Sequence, residues 1–313
     1  MKTRFASQRA FPSAAVESLI PLYNNVTHGA HMSDGLTIKR TVYPVTVKEI
    51  LFIWLVVVYS CGFFVRCIGS EIQNIIYLKW GMVAIIMIAL SKHLLRRETL
   101  TLSELMGRRL KKCAFPELLF ASLLAISTGI GSWSLLIFLS ANIDPAWAYT
   151  YWNLNTSEEF QRTQWLLSWI VLESIAAVVL APITEELVFR GFVLRRLCEK
   201  YTPNFSIVLC ALLFAAVHIH QSFLSVFFVG LVCGLVAIRF SSLYGSMLVH
   251  GAYNGAILFL TIYGRAGAVA DPTQIANFRH WLPQVIIFIV GTVILIIYMR
   301  RVLKSSNSRG TAS

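Results

Sequence analysis

The sequence predicts an all-α protein, a polytopic membrane helix bundle with about eight transmembrane helices. Of its 313 residues, 57% are hydrophobic and 13% are charged, and the mean hydropathy is +0.67. A soluble domain carries about 25% charged residues, so this chain lacks the polar surface that a water-soluble fold of its length needs. The composition therefore excludes a soluble enzyme, a disordered tail and a fibrous repeat.

Eight apolar runs are the candidate transmembrane helices, although several are shorter than the roughly 20 residues that a straight span needs. They occupy residues 50–65, 75–90, 115–140, 165–197, 205–219, 223–238, 243–262 and 282–299. These runs divide the chain into three parts. We expect a poorly ordered, polar cytoplasmic extension at 1–49, a membrane domain at 50–304 and a short polar tail at 305–313.

The distribution of basic residues predicts the orientation. The chain has 27 Lys and Arg against 15 Asp and Glu, a net charge of +12, and most of its basic residues lie between the apolar runs. With alternating spans and a cytoplasmic N-terminus, 18 of the basic residues from Lys39 onward fall in inside segments and 4 fall in outside segments. This positive-inside bias predicts that both termini are cytoplasmic, and it explains the charge without a nucleic-acid partner. We expect a multi-pass protein of the bacterial inner membrane.

Ionisable residues inside apolar runs are the candidate functional groups, because a charge in mid-membrane costs at least about 2.5–3.5 kcal/mol on insertion scales. The cytoplasmic helix ends are taken near residues 197, 204 and 242. A rise of about 1.5 Å per residue then gives depths of about 18 Å for Glu185, 21 Å for His218, 12 Å for His250 and 18 Å for Asn254. Four polar groups from three helices at similar depth predict one buried polar cavity.

Helical spacing indicates which of these residues share a face. Glu186 and Arg190 are four residues apart and can pair, which lowers the cost of burying both. His250 and Asn254 have the same spacing and can point at one place. Pro182 removes a backbone hydrogen bond just before Glu185 and predicts a local opening of the helix there. Two further ionisable residues have simpler explanations. Glu173 is a local hydrogen-bonding group, and His220, two residues from His218, points elsewhere and meets the membrane interface.

Three ordered motifs on these predicted spans resemble a known family. Glu185-Glu186-x-x-x-Arg190, Phe214-x-x-x-His218 and His250-x-x-x-Asn254 resemble the motifs of the CAAX prenyl endopeptidases and bacteriocin-processing enzymes, the CPBP or Abi family of intramembrane proteases. The resemblance covers about residues 165–262. Each motif alone is weak, but the three in this order are specific.

The resemblance implies an intramembrane endopeptidase and assigns roles to the motif residues. Glu185 would act as the general base on a water molecule, and His218 would hold the same water and pass a proton to the leaving nitrogen. His250 and Asn254 would donate to the developing oxyanion. Glu186 and Arg190 would be supporting residues that orient the helix and Glu185.

Several alternatives remain open from the sequence. No metal is favoured, but Glu185, His218 and His250 are the ligand types of a catalytic zinc site with an open position for water. Polar residues in mid-membrane also line transporters and channels, and an inactive relative could act as a scaffold or immunity protein. The expected partners are the lipid bilayer and a membrane-associated peptide or protein substrate. The oligomeric state is not predicted.

The predicted orientation can be tested with reporter tags at the two ends of the chain. Because the basic residues accumulate on one side of eight alternating spans, we expect tags at Met1 and after Ser313 both to report the cytoplasm. Enzymatic reporters that are active only on one side of the membrane would measure this. Opposite locations of the two tags would require an odd number of spans and would contradict the depth calculation.

Overall fold

The computed structural model describes residues 45–68, 75–98, 100–152, 171–172, 174–218, 223–263 and 275–309. All regular secondary structure within these ranges is helical, apart from one isolated antiparallel bridge between Gly107 and Ser242. The all-α prediction is therefore confirmed. Most of the predicted extension at 1–49 lies outside the described residues, and the three-part division of the chain remains a prediction.

The predicted apolar runs coincide with helices, usually to within a few residues. In chain order the labelled helices are α1 (Val47–Ile68), α2 (Ile75–Glu98), α3 (Leu102–Met106), α4 (Phe115–Ala141), α5 (Pro145–Tyr151), α6 (Pro203–Ala216), α7 (Phe223–Phe240), α8 (Leu243–Tyr263) and α9 (Phe278–Arg309). Between α5 and α6 lies a continuous helical segment, residues 174–198, which we call the motif helix. It carries the first predicted motif.

Four of the described helices are long and apolar enough to cross a membrane: α1, α7, and the segments Lys112–Ala141 and Phe278–Lys304, which contain α4 and most of α9. Large hydrophobic side chains such as Phe52, Leu123 and Ile297 are exposed on these helices, as expected for surfaces that face lipid. The protein is thus an integral multi-pass membrane protein. The predicted count of eight spans and their orientation remain predictions.

Helix α7 is the central helix of the domain. In its most apolar stretch 61% of the residues are buried, against 17% in α9 and 22% in α1. Glycines allow its close approach to α6, because Gly230 lies against Ala211 and Gly234 lies against Ile207. Small residues at a four-residue interval permit this contact between helices in a membrane.

Polar contacts hold the helices together at the end of the bundle where the motif helix finishes. Arg239 of α7 donates to both carboxylate oxygens of Glu117 on α4 at 2.8 and 3.1 Å, and Tyr298 of α9 donates to the same carboxylate at 3.1 Å. Arg196 of the motif helix pairs with Glu98 of α2. These contacts fix one end of the motif helix relative to its neighbours.

Candidate active site

The motif helix changes its hydrogen-bonding register twice. Ser174–Leu180 is a π-helix, Ala181–Glu186 is an α-helix and Leu187–Leu194 is again a π-helix. A π-helix bonds each carbonyl to the N–H five residues later, and short π segments are common at functional sites. The sequence predicted a disturbance at Pro182, and the structure places a change of register there. Glu185 and Glu186 therefore lie on a short α-helical turn between two wider segments.

His218 lies just beyond the end of α6. Its backbone N–H bonds the carbonyl of Ala215 at 3.0 Å, and its imidazole Nδ1 lies 2.8 Å from the carbonyl oxygen of Phe214. The Phe214 ring packs against the imidazole with the centroids 4.7 Å apart. These contacts hold the ring in one orientation and leave Nε2 as its free polar edge.

His250 projects from α8 towards the two glutamates of the motif helix. Its Nδ1 lies 2.8 Å from Oε1 of Glu186, and its ring meets Phe214 edge to face with the centroids 5.7 Å apart. Only 4% of the residue is exposed. Phe214 therefore touches both histidines, a role that the sequence did not predict beyond packing.

Glu185 lies between the two histidines. Its Oε2 is 3.7 Å from Nε2 of His218 and 3.7 Å from Nε2 of His250, and 4% of the residue is exposed. Both distances are too long for direct hydrogen bonds. The three side chains therefore converge around one carboxylate oxygen without bonding to it directly, and the predicted polar cavity around them remains a prediction.

The partners of the two imidazoles determine their tautomers. A backbone carbonyl and a carboxylate that is paired with arginine can only accept hydrogen bonds. Nδ1 of His218 must therefore donate to Phe214, and Nδ1 of His250 must donate to Glu186. In the neutral rings, both Nε2 lone pairs then face Glu185, and either Nε2 becomes a donor only when its ring gains a second proton.

Glu186 and Arg190 form the predicted buried pair. Arg190 donates from one guanidinium nitrogen to Oε1 of Glu186 at 2.7 Å and from another to the carbonyl of Gly230 at 3.0 Å. Both side chains are fully buried, and the guanidinium carbon lies 4.7 Å from the ring centre of Phe214. Oε1 of Glu186 thus accepts from Arg190 and His250 at once, which links the motif helix to α8 directly beside Glu185.

Asn254 lies one turn beyond His250 on α8. Its amide nitrogen donates to the carbonyl oxygen of Ala177 on the motif helix at 2.8 Å. The amide carries a second hydrogen, which this bond does not use. The structure therefore brings Glu185, His218 and His250 together and binds Asn254 to the backbone beside them. Glu173 and His220 lie outside the described residues.

The side chains of the predicted zinc set are adjacent but do not form a metal site in this arrangement. The described residues contain no group of three or more His, Cys, Asp and Glu side chains that could hold a metal ion. We therefore derive no step through a metal.

Fold and site together define a helical integral membrane protein with a buried acid–imidazole cluster contributed by three neighbouring elements. Residues 167–256, which include all three motifs, match the family described as type II CAAX prenyl endopeptidase Rce1-like. The match covers 90 of the 313 residues and confirms the resemblance of the motifs to this family, which lies within the CPBP family. No curated protein and no solved structure matches the chain significantly.

Removal of Arg190 tests the buried pair. Arg190→Ala leaves the Glu186 carboxylate buried without its cation, and breaking a buried pair in this way costs about 3–5 kcal/mol. We expect a large fall in the midpoint of thermal unfolding in detergent. The matched control is Arg195→Ala on the same helix, where a half-buried arginine lies 4.0 Å from Glu199 and a loss below about 1 kcal/mol is expected. Equal effects of the two substitutions would contradict the assignment.

Proposed function

We propose that the protein is an intramembrane endopeptidase that hydrolyses a peptide bond of a membrane-associated protein or peptide. The observation that carries the proposal is the buried Glu185 carboxylate with an imidazole Nε2 at 3.7 Å on each side. Family membership supports the reaction class, because residues 167–256 belong to a protease family. The catalytic roles below extend this class to individual residues.

The first step is activation of a water molecule. A water between Glu185 and His218 can donate one hydrogen to Oε2 of the carboxylate and the other to the Nε2 lone pair. Glu185 takes a proton from this water as the general base while the water oxygen attacks the scissile carbonyl carbon. The carbonyl π electrons move to oxygen and form an oxyanion.

His250 and Asn254 are the proposed donors to this oxyanion. When the His250 ring carries both protons, Nδ1 remains bonded to Glu186 and Nε2 becomes a donor. The second amide hydrogen of Asn254 is the other available donor. Donors already oriented where negative charge develops stabilise the transition state more than donors that must first reorganise.

The last step is collapse of the tetrahedral intermediate. The proton taken from water passes through Glu185 and His218 to the amide nitrogen, and the C–N bond then breaks to give a carboxylic acid and an amine. The acid then gives its remaining proton to the amine, which leaves a carboxylate and an ammonium group. Glu186 and Arg190 do not touch the reacting atoms in this scheme. They fix the His250 ring and the turn that carries Glu185, as supporting residues.

The buried position of the site favours substrates that enter or lie against the membrane. A prenylated C-terminus, a bacteriocin leader and the anchor of a sorting signal all meet this condition. The family description names prenylated CAAX proteins, so a prenylated CAAX peptide is the first substrate to test.

Substitutions of the three central residues test the catalytic assignment. Glu185→Gln, His218→Ala and His250→Ala each remove a group that acts on the water or the oxyanion, and we expect cleavage of a prenylated CAAX peptide to fall by at least about 100-fold. Cleavage can be followed by mass spectrometry of the products. His93→Ala changes an exposed histidine on α2 and should cleave normally.

A broader measurement covers other substrates. The N- and C-termini of membrane proteins are compared in cells that express the wild type and cells that express Glu185→Gln. New termini that depend on Glu185 would identify the substrate. If all three variants cleave as the wild type does, the site assignment is wrong. If the two kinds of cell show the same termini, the result favours a function as a transporter or scaffold.

A chelator separates the metal-free mechanism from its zinc-dependent alternative. Because the proposed mechanism activates water with Glu185 and His218 and stabilises the oxyanion with His250 and Asn254, we expect cleavage to persist in excess chelator after prolonged incubation. Product formation and the zinc content of the purified protein are measured on the same sample. Loss of activity that returns on addition of zinc would establish the zinc-dependent version.

A further inference from the structure

Pro182 removes one backbone donor from the motif helix. The π register of Ser174–Leu180 pairs each carbonyl with the N–H five residues later. Continued by one residue, this register would pair the carbonyl of Ala177 with the N–H of residue 182. Residue 182 is a proline and has no N–H. The π segment ends at Leu180, and residue 182 offers no N–H to the oxygen of Ala177.

Asn254 of α8 supplies that donor. Its amide nitrogen lies 2.8 Å from the oxygen of Ala177, in a partly buried setting. An unsatisfied carbonyl inside a membrane protein is costly because no water is available to replace the missing partner. The side chain of one helix therefore completes the backbone of another at the position that the proline leaves open.

Gly251, on the same face of α8, brings the two helices close enough for this bond. A β-carbon on Gly251 would lie 2.7 Å from the carbonyl oxygen of Val178, which is closer than real β-carbons approach. The same atom on Gly255, one turn further on, would lie 3.8 Å from the Val178 side chain, an ordinary contact. Of these two glycines, Gly251 is therefore the one that the close packing of α8 against the backbone of the motif helix requires.

We infer that Asn254 and Gly251 are positioning residues that lock α8 onto the motif helix at the break made by Pro182. This lock lies next to the catalytic cluster on both helices. Along an α-helix, Pro182 is about 4.5 Å from Glu185 and Asn254 is about 6 Å from His250. The lock therefore sets how α8 lies along the motif helix, and with it the 3.7 Å separation between Glu185 and His250.

The lock exists whether or not the chain is a protease, and its catalytic consequence rests on the proposed function. Asn254 carries two amide hydrogens, so the bond to Ala177 and a bond to the oxyanion can both form. The bond to Ala177 also restricts the rotation of the amide. Experiments can therefore separate two roles of Asn254: its bond to the backbone of the motif helix and its bond to the oxyanion of the substrate.

A double-mutant cycle between Pro182 and Asn254 tests the lock directly. Pro182→Ala restores an N–H that the π register would direct to the oxygen of Ala177, so this oxygen gains a donor besides the amide of Asn254. We expect Asn254→Ala to lower the unfolding midpoint in detergent by about 2–5 °C in the wild type. In the Pro182→Ala background the same change should lower it by less than half as much. Equal shifts in the two backgrounds, or no shift in the wild type, would overturn the inference.

The glycine pair tests the consequence for catalysis. Gly251→Ala pushes α8 away from the carbonyl of Val178, and a displacement of about 1 Å at reacting groups can cost about 100-fold in rate. With the prenylated CAAX peptide, we expect kcat to fall at least tenfold while KM changes less than twofold. Gly255→Ala should leave both constants within twofold. Similar effects from the two alanines, or a change in KM alone, would overturn the positioning role.

The cleavage assay and the double-mutant cycle test different claims, so a negative result in one leaves the other interpretable. If the wild type cleaves nothing, the proposed function fails, but the unfolding midpoints of the double-mutant cycle still decide whether the lock exists. If cleavage is normal and the cycle is additive, the lock fails and the proposed function stands. Because the cycle compares the same substitution in two backgrounds, a general loss of stability from either variant does not imitate the expected result.

Discussion

One carboxylate oxygen holds the site together. Oε1 of Glu186 accepts from Arg190 at 2.7 Å and from His250 at 2.8 Å, in a position that has no exposed side-chain surface. A buried carboxylate without partners would be strongly destabilising, so Glu186 requires both donors. Arg190 in turn reaches the carbonyl of Gly230 on α7. The contacts of one buried charge thus join the motif helix, α7 and α8, and they hold His250 beside Glu185.

Glu185 and Glu186 show how neighbouring residues of one type acquire opposite tasks. Consecutive residues on an α-helix project about 100° apart. Glu186 therefore points to the arginine four residues along its own helix, while Glu185 points to the histidines of two other elements. Glu186 has a cation as a direct partner, whereas Glu185 stands 3.7 Å from each imidazole. Only a carboxylate that is not already bonded to a cation can accept a proton from a substrate water.

The sequence was sufficient for those features that depend on apolar content or on i,i+4 spacing. The apolar runs coincide with helices because burial in lipid leaves an apolar chain no other way to satisfy its backbone. Glu186 and Arg190 pair because four residues make one helical turn. The π register of the motif helix was not predictable, since its residues are as apolar as those of any buried α-helix. The contact of Asn254 with Ala177 depends on that register, and the contacts of Phe214 with both histidines depend on how three elements pack. None of these leaves a periodic signal in the chain.

A helix that carries catalytic groups in a membrane faces two opposed requirements. Its backbone groups must bond within the protein because lipid offers no hydrogen bonds. A regular helix with all of its backbone bonded can, however, slide along a neighbouring apolar helix without losing any hydrogen bond. Pro182 removes a donor at a defined place, and the amide of Asn254 bonds the oxygen of Ala177 nearby, which favours one position of α8 along the motif helix. The absence of a side chain at Gly251 permits that approach. An interruption in the backbone bonding of the motif helix therefore specifies the position of α8, which nonpolar packing between apolar helices does not specify. This interruption lies about one turn from Glu185 and His250, the groups proposed to act in hydrolysis.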